Sequence, residues 1–281
     1  MKKDKNKLII VLIVIFALIF LAVAGYIVFR IVNSAAANKE YTELASSYAS
    51  DISNSATDQP GSVAQSSDKP ESGDTTPTVK NPVNVPELEE ENKDIYAWIN
   101  IPNTNVNYPV AQSYEDDNFY LDHDIHKHYS FPGTIYSQSC NKRDFTDRVT
   151  VLYGHNMLDG SMFATLHNFS DPDFFENNKY IYIYTENKKL TYEVVSAYIY
   201  DDRHIMNSFN FTDDEVYARW QQEALNPRSV SSNVRKDVKL TTDDKMLVLS
   251  TCLNGGGDGR YLVQGVHLKD EQAGGTRVHV G

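Results

Sequence analysis

The sequence predicts a mainly β domain, folded as a closed or partly closed barrel with one inserted helix and held behind a membrane-spanning helix. Three observations predict it. Past residue 100 the chain is a succession of short runs rich in β-branched and aromatic residues, which read as strands. Only one stretch among them carries a strong helix-start signal, and many short strands with one inserted helix suggest barrel closure. Near the N-terminus, residues 8–29 form a 22-residue run without a charge.

Composition narrows the function classes. The chain has 281 residues, 41% of them hydrophobic, with 26 Lys+Arg against 38 Asp+Glu and a net charge of -12. That apolar fraction excludes a wholly disordered chain. The acidic balance argues against nucleic acid as a partner, because phosphate binding needs a basic face. Two cysteines, Cys140 and Cys252, cannot build a disulfide scaffold, and no Cys-x-x-Cys pair offers a zinc or redox site.

Residues 1–7 are a basic segment and residues 8–29 are long enough to cross a bilayer, which takes roughly 20 residues as a helix. A cleavable signal peptide has a shorter apolar run. Although Ala22-Val23-Ala24 resembles a cleavage site, the reading is a retained anchor. Lys2, Lys3, Lys5 and Lys7 precede the span and Arg30 follows it. The positive-inside rule then places the N-terminus in the cytoplasm and the rest outside the cell, in a single-pass topology. Residues 30–86 read as a flexible extracellular linker rich in Ser, Thr, Ala, Asp, Pro and Gly, with a helical continuation to about Ser50.

Residues 87–270 are enough for one substantial core, and 271–281 form a tail without a usable pattern. Residues 87–99 read as an acidic helix, since Leu88, Ile95, Trp98 and Ile99 fall at helical spacing. Strands are expected at 106–110, 134–137, 148–153, 180–185, 190–200, 245–252 and 260–268. The inserted helix opens at Thr212, placed to cap with Glu215 three residues on. Val216, Trp220 and Leu225 supply its buried side, and Asn226-Pro227 ends it.

Chemistry concentrates at two strand ends. The run 246–252 is apolar until Ser250-Thr251-Cys252, and a loop containing four glycines separates it from the strand opened by Arg260. If the two strands pair, Cys252 and Arg260 share one rim, with Ser250 on the face of Cys252 and Thr251 opposite. The second place is residues 149–153, an apolar strand that ends in Gly154-His155-Asn156. Barrel closure permits His155 to approach that rim. A free thiol is only a few per cent ionised at neutral pH, so a nucleophilic Cys252 needs a base or cation beside it. His155 suits proton transfer. Arg260 stays charged and suits a developing oxyanion.

Val151-Leu152-Tyr153-Gly154-His155-Asn156-Met157, followed by Asp159-Gly160-Ser161-Met162-Phe163-Ala164, resembles the histidine motif of the class B sortases. Leu249-Ser250-Thr251-Cys252 with Arg260 resembles their Thr-Cys and Arg motifs. Trp98-Ile99-Asn100-Ile101-Pro102, Asn107-Tyr108-Pro109-Val110 and Asn118-Phe119-Tyr120-Leu121 support the likeness, which spans nearly all of 87–270. The resemblance implies a sortase-like barrel of about eight strands with an N-terminal helix and one long inserted helix. It implies a membrane-bound cysteine transpeptidase of Gram-positive cells, needing no cofactor, that cleaves a C-terminal sorting signal of surface proteins after Thr. Its acyl group would pass through a thioester on Cys252 to an amine of the peptidoglycan cross-bridge or of a pilin. His155, Cys252 and Arg260 are the catalytic residues by this likeness, and Ser250, Thr251, Tyr153 and Leu121 line the substrate site.

Two other readings stay open at this level: an anchored cysteine hydrolase of wall peptides, and a non-enzymatic tethered β-domain that binds a surface ligand. A second thiol, Cys140, is a feature this family does not need, and a disulfide to Cys252 would silence the nucleophile. The pattern His123-x-x-His126-x-His128 invites a metal, but the sequence places no carboxylate or thiol beside it. The reading is a solvated loop, with no metal.

Overall fold

The computed structural model describes residues 2–49, 52 and 78–274. Helix α1, Lys2–Tyr48, continues the apolar run without a break, and it is long and apolar enough to cross a membrane. Strand β1, Thr78–Lys80, lies within the stretch read as linker and adds in parallel to the end of the last strand. Residues 53–77 of that linker, and 275–281 of the tail, lie outside the described residues.

Helix α2, Val85–Glu91, has Pro at its start and is followed by strand β2, Ile95–Asn100. The single helix expected over 87–99 is therefore a helix and a strand. Asn92 makes the division. Its side-chain NH2 donates to Tyr120 Oη at 2.7 Å and Ile125 O at 2.8 Å, while its Oδ1 accepts from Asp94 N at 3.0 Å. Beyond it, residues 95–99 are buried on both faces of the sheet. Such a continuous apolar run offers no period to separate strand from helix.

The chain continues through β3 (Asn107–Ala111), β4 (Ile135–Tyr136), β5 (Val149–Tyr153), α3 (Pro172–Asn177), β6 (Tyr180–Tyr184) and β7 (Lys188–Tyr200). After α4 (Ile205–Ser208) and α5 (Asp214–Leu225) come β8 (Ser232–Val234), β9 (Met246–Cys252) and β10 (Arg260–Gly274). Eight of these strands close a barrel in the order β10-β9-β5-β4-β3-β2-β6-β7. Antiparallel pairing of β7 with β10, from Tyr200↔Arg260 to Lys188↔Gln272, shuts it.

Side-chain alternation sorts two cores. Leu152, Leu247, Leu249, Tyr261 and Val263 point into the barrel. Val149, Val151, Met246, Val248 and Leu262 point outward, where α5 covers them. Helix α5 is the inserted helix, but Asp213 caps it in place of Thr212. The Asp213 carboxylate accepts from Glu215 N at 2.9 Å and Val216 N at 3.1 Å, and the Thr212 hydroxyl donates to Asn210 instead. The buried side of α5 is Tyr217, Trp220, Gln221 and Ala224, with Val216 and Leu225 half-buried. Trp220 packs against Tyr200, Phe209 and Phe211.

Candidate active site

Sheet register brings the two strand ends together. β9 and β10 pair antiparallel with Cys252 opposite Arg260. β5 lies parallel on the other side of β9, with Tyr153 opposite Ser250, and Gly154 N extends the ladder to Ser250 O at 3.2 Å. The chain that leaves β5 is therefore already beside the end of β9 when it reaches His155. Gly154 is required there. A Cβ at this position would lie 2.5 Å from Ile135 Cδ1 and 2.8 Å from the Phe163 ring.

His155 is fixed on both sides. Its Nε2 lies 2.8 Å from the Leu121 carbonyl, which can only accept, so Nε2 carries the proton and Nδ1 is the basic nitrogen. Its ring stacks on Phe131, with centroids 5.5 Å apart. Burial lowers its pKa below the ordinary histidine value; the Leu121 carbonyl opposes that shift and the Arg30 charge adds to it. Neutral imidazole therefore prevails at pH 7.

On the opposing strands, Ser250, Cys252 and Arg260 share the outward face by alternation. Cys252 is exposed and free, as is Cys140. Partial desolvation, with the Asp117 charge nearby, raises the Cys140 thiol pKa. Arg260 Nη1 donates to Gly259 O at 3.1 Å, within the loop that joins the strands. Gly255, Gly256 and Gly257 all take positive φ in that loop, a conformation that glycine adopts without a Cβ penalty.

A groove of about 290 Å³ connects these groups. The residues assigned to the site from the sequence border it: His155, Cys252, Arg260, Ser250, Thr251, Tyr153 and Leu121. Among the described residues the Tyr153 hydroxyl is buried without a hydrogen-bond partner, and its ring lies 5.5 Å from that of Tyr136 and 6.4 Å from that of His204. The remaining wall was not anticipated. His204, at the start of α4, accepts from Asn207 N through Nδ1 and so donates from Nε2 to Gln138 Oε1 at 2.5 Å.

Two further residues escaped the sequence reading. The Cys252 carbonyl accepts from Asn156 Nδ2 at 3.1 Å and from His167 Nε2 at 2.9 Å. Asn156 also donates to Asn254 Oδ1 at 2.9 Å, and the His167 ring stacks on Tyr261 at 4.5 Å. Together they clamp the backbone of the thiol-bearing residue. The Gly-His-Asn turn hinted at Asn156; nothing local marked His167.

The three histidines of the 123–128 segment have separate partners. His123 stacks on Phe119 and lies 2.8 Å from Asp122, His126 lies 3.3 Å from Glu40, and His128 lies 3.9 Å from Asp124. Among the described residues no group of three His, Cys, Asp or Glu side chains is gathered as a metal ion would require.

The sortase domain family model matches residues 99–268. Sortase B of Listeria monocytogenes is 31% identical over 172 residues, which is 59% of this chain and 65% of that protein, so the chain spans just under two thirds of this relative's length. The crystal structure of Clostridium perfringens sortase B superposes with a TM-score of 0.60 at 32% identity, covering 66% of this chain and 99% of that one. A Staphylococcus aureus sortase B-substrate complex gives a TM-score of 0.58 at 28% identity, covering 68% of this chain and 87% of that one.

Proposed function

The chain belongs to the sortase family, with class B relatives, and from that premise we propose that it is a membrane-anchored cysteine transpeptidase acting on C-terminal sorting signals. The observation that carries this reading is the convergence of Cys252, His155 and Arg260 on one groove. Neutral His155 takes the Cys252 proton at Nδ1 as the sulfur attacks the carbonyl after the Thr of the signal. Arg260 holds the resulting oxyanion. The imidazolium then protonates the leaving amine, the C–N bond breaks, and a thioester remains on Cys252. An incoming amine from peptidoglycan or a pilin attacks the thioester, gives its proton to His155 and releases the thiolate, which recovers that proton.

Ser250, Thr251, Tyr153 and Leu121 serve the substrate. The unpartnered Tyr153 hydroxyl offers a donor for a peptide carbonyl, because a buried polar group without a partner is costly until a ligand supplies one. The chemistry requires no cofactor. The apolar part of α1 anchors the enzyme, with its N-terminus inside the cell and the barrel outside.

Mass spectrometry of the protein with a panel of sorting peptides and amines tests the reading. The expected result is a thioester on Cys252, resolved by amine faster than by water, and lost in Cys252→Ala and His155→Ala. Release of free acid alone would make the protein a hydrolase. Labelling by a sorting-peptide mimic that persists unchanged in His155→Ala would overturn the assigned roles.

A further inference from the structure

Helices α4 and α5 border a second cleft, of about 350 Å³, which shares no lining residue with the catalytic groove. Helix α4 runs between the two. Ile205, at its start, borders the groove, and Ser208, at its end, borders the cleft. Phe209 and Val216 give the cleft apolar walls, and Trp220 completes its lining. Trp220 is only 1% exposed, and its indole N–H is buried with no acceptor among the described residues. Such a donor is costly until a ligand supplies a partner.

Two opposite charges border the same cleft. Arg219 and Glu223 stand one turn apart on α5, the spacing at which a cation and an anion on a helix are neighbours, with the cation first, the weaker order for pairing. They stay apart. Arg219 Nε donates back to Glu215 O at 3.3 Å, and among the described residues no ion pair engages either side chain. One turn of helix rises about 6 Å over four residues, so both charges are within reach of a ligand that carries an ammonium and a carboxylate on one carbon. A longer peptide fits this spacing less well, because each added residue carries its two ends up to about 3.3–3.6 Å farther apart. The volume also suits a small ligand, at the lower end of the range for binding pockets.

We infer that the cleft between α4 and α5 binds a free α-amino acid with an apolar side chain. The ligand carboxylate accepts from the Arg219 guanidinium and from the Trp220 N–H, its ammonium donates to the Glu223 carboxylate, and its side chain packs on Phe209 and Val216. Charge-assisted bonds of this kind are the strong ones. The site lies outside the catalytic groove, so it stands or falls apart from the transpeptidase reading.

The full chain in nanodiscs is titrated with 4-fluorophenylalanine, and binding is followed by broadening of the ligand's fluorine NMR signal. Its N-acetyl form, which lacks the ammonium, and its amide, which lacks the carboxylate, are titrated in parallel. The zwitterion should bind about tenfold or more tighter than either, the cost of losing one hydrogen-bonded charge. In Arg219→Gln its affinity should fall to that of the amide, and in Glu223→Gln to that of the N-acetyl form. Arg219 is exposed and Glu223 half-buried, so both variants should fold, and they carry the test if Trp220→Phe, which keeps a ring and removes the donor, does not. Where Trp220→Phe folds, it should weaken the zwitterion as well. A fluorine signal that does not broaden, equal affinity for the three ligands, or an affinity unchanged in both charge variants would overturn the inference.

Discussion

One wall of the groove is built by strands and the other by contacts across the chain. Ser250, Cys252 and Arg260 stand on β9 and β10, where the ladder from Cys252↔Arg260 to Met246↔Val266 fixes their relative positions. His155 stands past the end of β5, where the ladder stops. Its position depends on the Leu121 carbonyl and the Phe131 ring, with Arg30 and Tyr41 of α1 packed behind them. The first wall is held by backbone geometry that tolerates side-chain change. The second depends on a backbone carbonyl at Leu121 and on the side chains of Phe131, Arg30 and Tyr41. Substitutions on the strand wall should therefore affect chemistry with little structural consequence, and substitutions behind the loop wall should alter how the histidine is presented.

Arg260→Ala is the sharpest use of that contrast. If Arg260 holds the oxyanion as proposed, its removal should lower kcat/KM by roughly 100- to 1000-fold, the cost of losing one such donor. Thermal midpoint should stay near that of the parent, because the hydrogen bonds described for the Arg260 side chain run to the adjoining loop carbonyls of Asp258 and Gly259 and not across the ladder. A large drop in stability would break the comparison by making Arg260 part of the frame.

A smaller effect is expected at the seam between the walls. His167 and Asn156 come from the loop side, yet both donate to the carbonyl of Cys252. His167→Phe keeps an aromatic ring over Tyr261 and removes the donor. Displacing a reacting group by about 1 Å can cost on the order of 100-fold, so a loss of kcat within that bound and little change in KM are expected. His167→Gln, which restores an N–H donor, should recover most of it. Equal activity in the Phe variant and the parent would show that the ladder alone positions the nucleophile.

The same contrast explains what could be read from the sequence. β9 announces itself as a short apolar run that turns polar at Ser250, and the glycine loop between Cys252 and Arg260 implies a hairpin, so the rim they share follows from residues close in the chain. The approach of His155 does not. It requires β5 to lie parallel to β9, a pairing between segments nearly a hundred residues apart, and no local pattern encodes parallel order. The strand expected at 134–137 is there as the two residues of β4, too few to disclose that it links β3 to β5. His167 lies on a 3-10 turn, Ala164–Ser170, and acquires its role only when Tyr261 and the Cys252 carbonyl arrive from β9 and β10. The helix read over 87–99 erred for the converse reason: Ile95, Trp98 and Ile99 match a helical period while being buried on both faces of a strand.

The mildest prediction probes the loop wall by pH. The His155 pKa lies below its ordinary value chiefly because burial disfavours the charged ring. Phe131→Ala exposes one face of that ring to water, so the pKa should move back up toward the unperturbed value. The proposed mechanism needs neutral His155 in the free enzyme, and on that proposal the acid limb of kcat/KM should shift to higher pH. Activity would be reduced at about pH 6 and nearly unchanged at about pH 8. Stability should respond with the same sign logic. A histidine with a depressed pKa costs the folded state stability as pH falls from the unfolded value through the folded one, since the unfolded chain binds the extra proton. In Phe131→Ala that acid-side loss should be shallower, measured as the change of denaturation midpoint across the same pH range. An acid limb at its parental position would mean that Phe131 is not what shields the imidazole, and that the loop wall is held by the Leu121 carbonyl alone.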